Sequence, residues 1–219
     1  MMNEQARSPQ KIMVIGANGG IGRKAVEEAL AAGHYVTALL RDPAKLDLSH
    51  PRLRIIQGDV LRPETYEMQL QHIDYIISAI GGQMNKPTTL YSEGSRCLIA
   101  TMKKMAVSRA FFISASAIEI SPLLPFYVKF AAKYILQKLL RHGYADQRIM
   151  EHIIKESDIN WTIMRPPRLT NKPVTGHYRF AVNSFLKNCL SISRADVAHF
   201  MINNANNKAT WKAVVELGY

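Results

Sequence analysis

Cysteine is almost missing from this 219-residue chain: only Cys97 and Cys189 occur, far apart. Two such thiols cannot build a disulfide framework and form no metal-ligand spacing, so no metal is expected and reduced thiols in a cytoplasmic protein are the simplest reading. Acids are scarce as well, 17 against 28 lysines and arginines, which leaves a formal net charge of +11. No run of about 18 apolar residues exists, so no transmembrane helix and no stable membrane insertion are expected. The opening MMNEQARSPQ is polar; it has no signal-peptide pattern, and residues 1–10 are expected to fray. The basic residues are spread along the chain without a nucleic-acid motif, so nucleic acid is not the expected partner. A field of this sign still draws anions: a phosphorylated cofactor, an anionic substrate or an acidic membrane surface. Plain solubility accounts for much of the surplus in the bland reading.

What is present is a chain long enough for one domain, 47% hydrophobic and free of low-complexity blocks. Its organising stretch is Lys11 to Gly22, KIMVIGANGGIG. Ile12 to Ile15 suit a buried strand. Gly16, Gly19 and Gly22 follow at three-residue spacing, and Ala25, Val26, Ala29 and Leu30 then recur at helical spacing up to Gly33. The pattern reads as strand, glycine turn, helix. A pyrophosphate needs bare backbone N–H groups and the positive end of a helix, and glycines let it come close. The usual fingerprint has glycine at its third position; here Asn18 stands there. Tight-turn glycine is the competing reading of any such string.

The strands that follow are Tyr35–Leu40, Leu53–Gln57, Asp74–Ile80, Arg109–Ser114 and Trp161–Met164, with Ala213–Leu217 last. Most are apolar throughout, as strands covered on both faces are. Alternation with helices predicts an α/β fold: a Rossmann-type, doubly wound parallel sheet in a single domain, residues 11–219, with ligands at the strands' carboxyl ends. Arg41 follows the second strand directly and Lys45 lies one turn on. That pair favours a 2′-phosphate, hence NADPH over NADH, unless Arg41 is an ordinary solvated arginine. Asp59 can accept from the adenine amine or cap a helix starting near Pro63. Gly81 opens a loop past which ribose and phosphates must run. Ser114 and Ser116 stand at the end of the fifth strand, facing the expected nicotinamide. Ser116 is the candidate substrate-facing group, although any serine can instead bond local backbone. Pro166 and Pro167 stiffen the chain across the cleft mouth, and Arg165 and Arg168 can clamp a carboxylate or phosphate. His177, on the lip of the cleft, reads as a solvated loop histidine before a proton donor, and Ser193 as the N-cap of another helix.

Between these lies Leu123 to Arg141, a substrate-side helical insertion rich in aromatics and leucines with Lys129, Lys133 and Lys138 interspersed. Core packing is the first expectation; a lid, a dimer contact and a membrane-surface helix are the others. His142-Gly143 is expected to break it. Tyr134 and Lys138 have the Y-x-x-x-K spacing of a dehydrogenase acid and its partner. The register that such a motif needs, about twenty residues before the sixth strand, instead holds Tyr144 and Arg148, and arginine does not titrate near neutrality. A standard tyrosine–lysine acid is therefore not expected.

The pieces IGANGGIG, VTALLRD, GDV, PTTLYSEGSR, ISASA, PPRLTNKPVTGHY and ISRADVAHFM together resemble the atypical short-chain dehydrogenases with NmrA-like sequences, and among them the biliverdin-IXβ reductase and flavin reductase group. The resemblance implies NADPH-dependent hydride transfer to flavins or linear tetrapyrroles, in bacterial relatives haem breakdown products such as anaerobilin. It implies that Gly16, Asn18, Gly19, Gly20, Ile21 and Gly22 hold the pyrophosphate and Arg41 with Lys45 the 2′-phosphate. Asp59 and Val60 flank adenine, Ile80 and Gly81 the ribose, and Ser116 lies near nicotinamide and substrate; Ser114 and Pro166 are counted with the cofactor side. Arg168 replaces a histidine of that group, and the 123–141 segment is longer here.

The expected activity is an NADPH-dependent reductase acting on a conjugated anionic acceptor, a bilin or a flavin. The alternatives are a non-catalytic NADP(H)-binding redox sensor that acts through a protein partner, and an epimerase or dehydratase of nucleotide sugars relying on Tyr144.

Overall fold

The computed structural model describes residues 8–219. The expected fraying of residues 1–10 falls largely outside them. The core begins with β1 (Lys11–Ile15), whose last four residues are all buried. Next come α1 (Gly20–Ala31), β2 (Tyr35–Leu40), β3 (Leu53–Gln57) and β4 (Tyr75–Ser78), then α2 (Leu90–Lys104) and β5 (Arg109–Ile113). The 123–141 region forms α3 (Phe126–Ala131), a π-helical turn (Ala132–Leu136) and α4 (Gln137–Leu139). The chain closes with α5 (Arg141–Lys155), β6 (Asn160–Arg165), β7 (Arg168–Thr170), β8 (Arg179–Val182), β9 (Ser191–Ser193), α6 (Arg194–Asn203) and β10 (Ala213–Gly218).

Eight strands make one sheet in the order β3-β2-β1-β4-β5-β6-β10-β8. All neighbours are parallel except β8, which runs antiparallel to β10. The expected doubly wound sheet is thus observed, with one antiparallel edge strand added. The chain winds outward from β1 to β3, then returns to lay β4 on the other side of β1. That reversal opens a crevice beyond the carboxyl ends of β1 and β4, where doubly wound sheets take their ligands. Two apolar layers flank the sheet. One joins Ile12 and Val14 to Ala25 and Val26 of α1 and to Phe200 and Met201 of α6. The other joins Met13 and Ile15 to Leu98 and Met102 of α2 and to Met150 and Ile154 of α5.

Three expectations need correction. The segment from Leu123 does not pack into the core: Phe126, Phe130 and Leu139 are 81%, 60% and 63% exposed. The core layers are already filled by α1, α6, α2 and α5, so this apolar stretch lies outside them. The break before α5 falls at Leu140 (φ −107°, ψ 23°), while Gly143 sits inside that helix and its N–H donates to the Met84 carbonyl (2.9 Å). Near Pro63 there is only a short turn, Pro63–Thr65, preceded by Arg62 rather than capped by Asp59.

A candidate dinucleotide site at the carboxyl ends of the strands

The glycine turn joins β1 to α1. Gly16 has φ +77°, the left-handed region, and a Cβ there would collide with the carbonyl of Ala79, the residue just after the neighbouring parallel strand β4. Gly22 lies over the same turn: its Cβ would strike the Gly16 carbonyl. Gly22 therefore lets helix and strand close together rather than touching a ligand. The Gly19 N–H donates back to Gly16 (2.9 Å). The first turn of α1 carries no side-chain cap and no acid, so its N-terminal N–H groups and positive dipole end are left for an anion.

That turn forms the floor of a cleft of about 270 Å³. The cleft is lined by Gly16, Asn18, Gly19, Gly20, Ile21, Arg41, Asp59, Val60, Ile80 and Gly81, all named from the sequence. Gly81 has open space where a Cβ would stand. Asp59 also makes a local turn, its Oδ1 accepting from the Leu61 N–H (3.0 Å). An adjoining hollow of about 480 Å³ shares Arg41, Gly58 and Asp59 and adds Arg62. Two guanidinium-bearing residues thus border the far end of the cleft, where the sequence pointed to one. Lys45 lines neither space; its exposed side chain lies near Asp42 (Nζ–Oδ2 3.5 Å).

Arg194, the first residue of α6, was not expected at the cleft. Its side chain occupies the space where a Cβ on Gly20 would lie, and its Nη1 donates to Asn171 Oδ1 (2.7 Å). A cation is thereby held across the glycine turn by a residue more than 170 positions downstream. The sequence signal was the ISRADVA stretch, read only as a helix start. Leu39, Leu90, Ile113 and Leu169 supply apolar walls.

Ser116 is half-buried just after β5 and does not line the cleft; its N–H donates to the Pro166 carbonyl (3.1 Å). Ser114 is buried and its hydroxyl donates its proton to Glu151 Oε1 (2.7 Å). Arg165 is consumed. Its Nε and Nη2 donate to the two Glu151 oxygens (2.9 and 2.6 Å) and its Nη1 to Glu119 (2.7 Å). It is buried at the end of β6 and does not form the expected substrate clamp. Burial alone would raise the Glu151 pKa, yet hydrogen bonds and charge from Arg165 hold it below the usual carboxylate range. Arg168 is exposed at the start of β7, with no salt bridge among the described residues. Pro166 is buried beside these groups.

Among the described residues, no tyrosine and no lysine is in the lining of the cleft. Tyr134 is exposed on the outer helix, its ring against Phe130 at 4.7 Å between centroids. Tyr144 is buried, which pushes its hydroxyl pKa up, and Arg148 is tied to the Ile118 carbonyl (3.2 Å). Among the described residues there is no cluster of His, Cys, Asp and Glu fit to hold a metal, and both cysteines are free.

Comparison with known proteins decides the family. Residues 16–208 match the profile of a family described as NAD(P)H-binding. The chain belongs to this NAD(P)H-binding family. Its members' cofactor fits the residues present: an uncapped helix start, a turn closed to any Cβ at Gly16 and a basic far end. The chain is 30% identical over 158 residues to the photosystem II assembly factor Ycf39 of Cyanophora paradoxa, covering 70% of this chain and 44% of that protein. It is 29% identical over 183 residues to an uncharacterized chloroplastic protein of Arabidopsis thaliana, covering 80% and 64%. The chain thus spans less than two-thirds of either relative. In fold it matches a short-chain dehydrogenase/reductase of Veillonella parvula solved in complex with NADP, with TM-score 0.76, 19% identity and coverage of 96% and 94%. An oxidoreductase of Lactococcus lactis gives TM-score 0.75, 17% identity, and 95% and 90%. Among the described residues no helix is long and apolar enough to cross a membrane.

Proposed function

We propose that this family member is an NADPH-dependent reductase, acting in the cytoplasm on a conjugated anionic acceptor, a linear tetrapyrrole or a flavin. The observation that carries the reading is a dinucleotide cleft with arginines at its far end and no tyrosine–lysine acid in its wall. When bound, NADPH supplies a hydride. The protein's part is to bind, orient and exclude water. Gly16, Asn18, Gly19, Gly20 and Ile21 offer backbone to the pyrophosphate, with Arg194 above them. Arg41 meets the 2′-phosphate. Val60, Ile80 and Gly81 pass the adenosine and ribose. Ser116 aligns cofactor and acceptor at the nicotinamide end. Arg168, exposed beyond it, is the remaining candidate for the acceptor's propionates or phosphate now that Arg165 is committed to Glu151. Without a protein acid, acceptors that take hydride through an extended conjugated system are favoured, and solvent supplies the proton. The resemblance to the biliverdin-IXβ and flavin reductase group supports the same acceptor classes. The test mixes protein and NADPH with biliverdin, FMN or anaerobilin and follows NADPH absorbance. Oxidation above background with at least one is expected; none with any of the three defeats the reading.

A second reading is a non-catalytic NADP(H) sensor. The likeness to an assembly factor favours it, as does the lack of an acid in the cleft. Tight dinucleotide binding without turnover of any acceptor would select it over the first.

A further inference from the structure

Eight of the fifteen large apolar side chains exposed among the described residues lie between Leu123 and Leu139. They include Phe126, Tyr127, Phe130, Tyr134, Ile135 and Leu139, each more than half exposed. A soluble surface rarely gathers apolar groups so closely without a partner. The same stretch is basic. From Ile120 to Ala145 no acid occurs, while Lys129, Lys133, Lys138 and Arg141 do. The aromatic groups lie next to the cations: the Lys133 ammonium is 5.5 Å from the Tyr134 ring centre. The helix is fastened to the body, Gln137 Nε2 donating to the Ala117 carbonyl (2.7 Å).

We propose that this helix docks the protein on the surface of an anionic lipid bilayer. Exposed Phe and Tyr enter the headgroup boundary, the lysine stems lie along it, and their ammonium groups meet lipid phosphates. Charge complementarity selects this occupant. A second copy would bring four cations against four cations on a chain already at +11. No span is involved, because the helix lies on the surface. The inference does not rest on the proposed reaction.

Flotation with vesicles of phosphatidylcholine alone, and of an equimolar mixture with phosphatidylglycerol, tests it on the full chain. The protein is expected to float with the mixed vesicles, to stay unbound with phosphatidylcholine, and to be released by salt. Two variants alter side chains outside the core layers, all exposed except Lys129, which is half-buried and donates to the Pro122 carbonyl (3.3 Å): Phe126→Ser with Phe130→Ser, and Lys129→Gln, Lys133→Gln and Lys138→Gln together. Both should retain the wild-type melting temperature and dinucleotide affinity. The lysine variant should partition on the order of a hundredfold less, and the phenylalanine variant should also be lost from the vesicles. Absence of flotation with the mixed vesicles overturns the proposal. So does undiminished flotation of both variants, or a stable dimer in sedimentation velocity that the phenylalanine variant dissolves.

Discussion

Glu151 of α5 and Arg165 at the end of β6 form a two-pronged ion pair, Nε to Oε1 at 2.9 Å and Nη2 to Oε2 at 2.6 Å, with both side chains buried. Ser114 donates to the same carboxylate, so the ends of β5 and β6 are locked to one helix beside the cleft. The pair takes an arginine that the sequence offered to substrate and uses it to tie β6 to α5.

Removing one member should therefore be costly. Glu151→Ala leaves the Arg165 guanidinium buried with only Glu119, which is largely solvent-exposed; a loss of roughly 3–5 kcal/mol is expected from urea unfolding. The Glu151 pKa is depressed in the folded state, so its contribution is present above the unfolded value, near about 4, and is lost as pH falls through the folded value. The wild type should lose stability over that acid range more steeply than Glu151→Gln. Equal slopes would remove the pair from the account.

Arg41 and Arg62 border the far end of the cleft. Arg41→Glu should lower NADPH affinity by roughly ten- to a hundredfold, the worth of a charge-assisted hydrogen bond, and leave NADH little changed. Arg62→Ala should act in the same direction. Calorimetry with both cofactors checks this, and an unaltered ratio in both variants would assign the preference elsewhere.

Arg194 crosses the turn that any dinucleotide must use. Arg194→Ala should weaken NADPH and NADH by similar factors, in contrast to Arg41→Glu. A selective loss of one cofactor would place Arg194 at the 2′-position instead.

Tyr144 is buried, and Ser116 is the group proposed to align cofactor and acceptor. Tyr144→Phe should leave turnover within about twofold of wild type, whereas Ser116→Ala should slow it by roughly tenfold, the scale of one hydrogen bond. Steady-state rates with the acceptor found by screening decide this. A large loss in Tyr144→Phe with an unchanged melting temperature would revive acid catalysis by tyrosine.

What the sequence determined by itself is local and repetitive. Apolar runs of strand length, the strict spacing of Gly16, Gly19 and Gly22, and the Arg41 that follows β2 are readable without coordinates, because backbone sterics and burial on both faces leave few alternatives. The Ser193 cap was legible for the same reason: its hydroxyl accepts from the Asp196 N–H (2.9 Å), only three residues on. Tertiary structure decided what each charged or amphipathic group meets. Asp146 caps α2 from 55 residues away, accepting from the N–H groups of Tyr91 and Ser92 (2.8 and 3.3 Å). Arg165 meets Glu151, Arg194 reaches the glycine turn, and the apolar helix from Phe126 finds the core already filled. Helical periodicity reports that a face is apolar, not whether the fold leaves room beneath it. A side chain's charge, likewise, does not name its partner until the sheet has set which strand ends lie together.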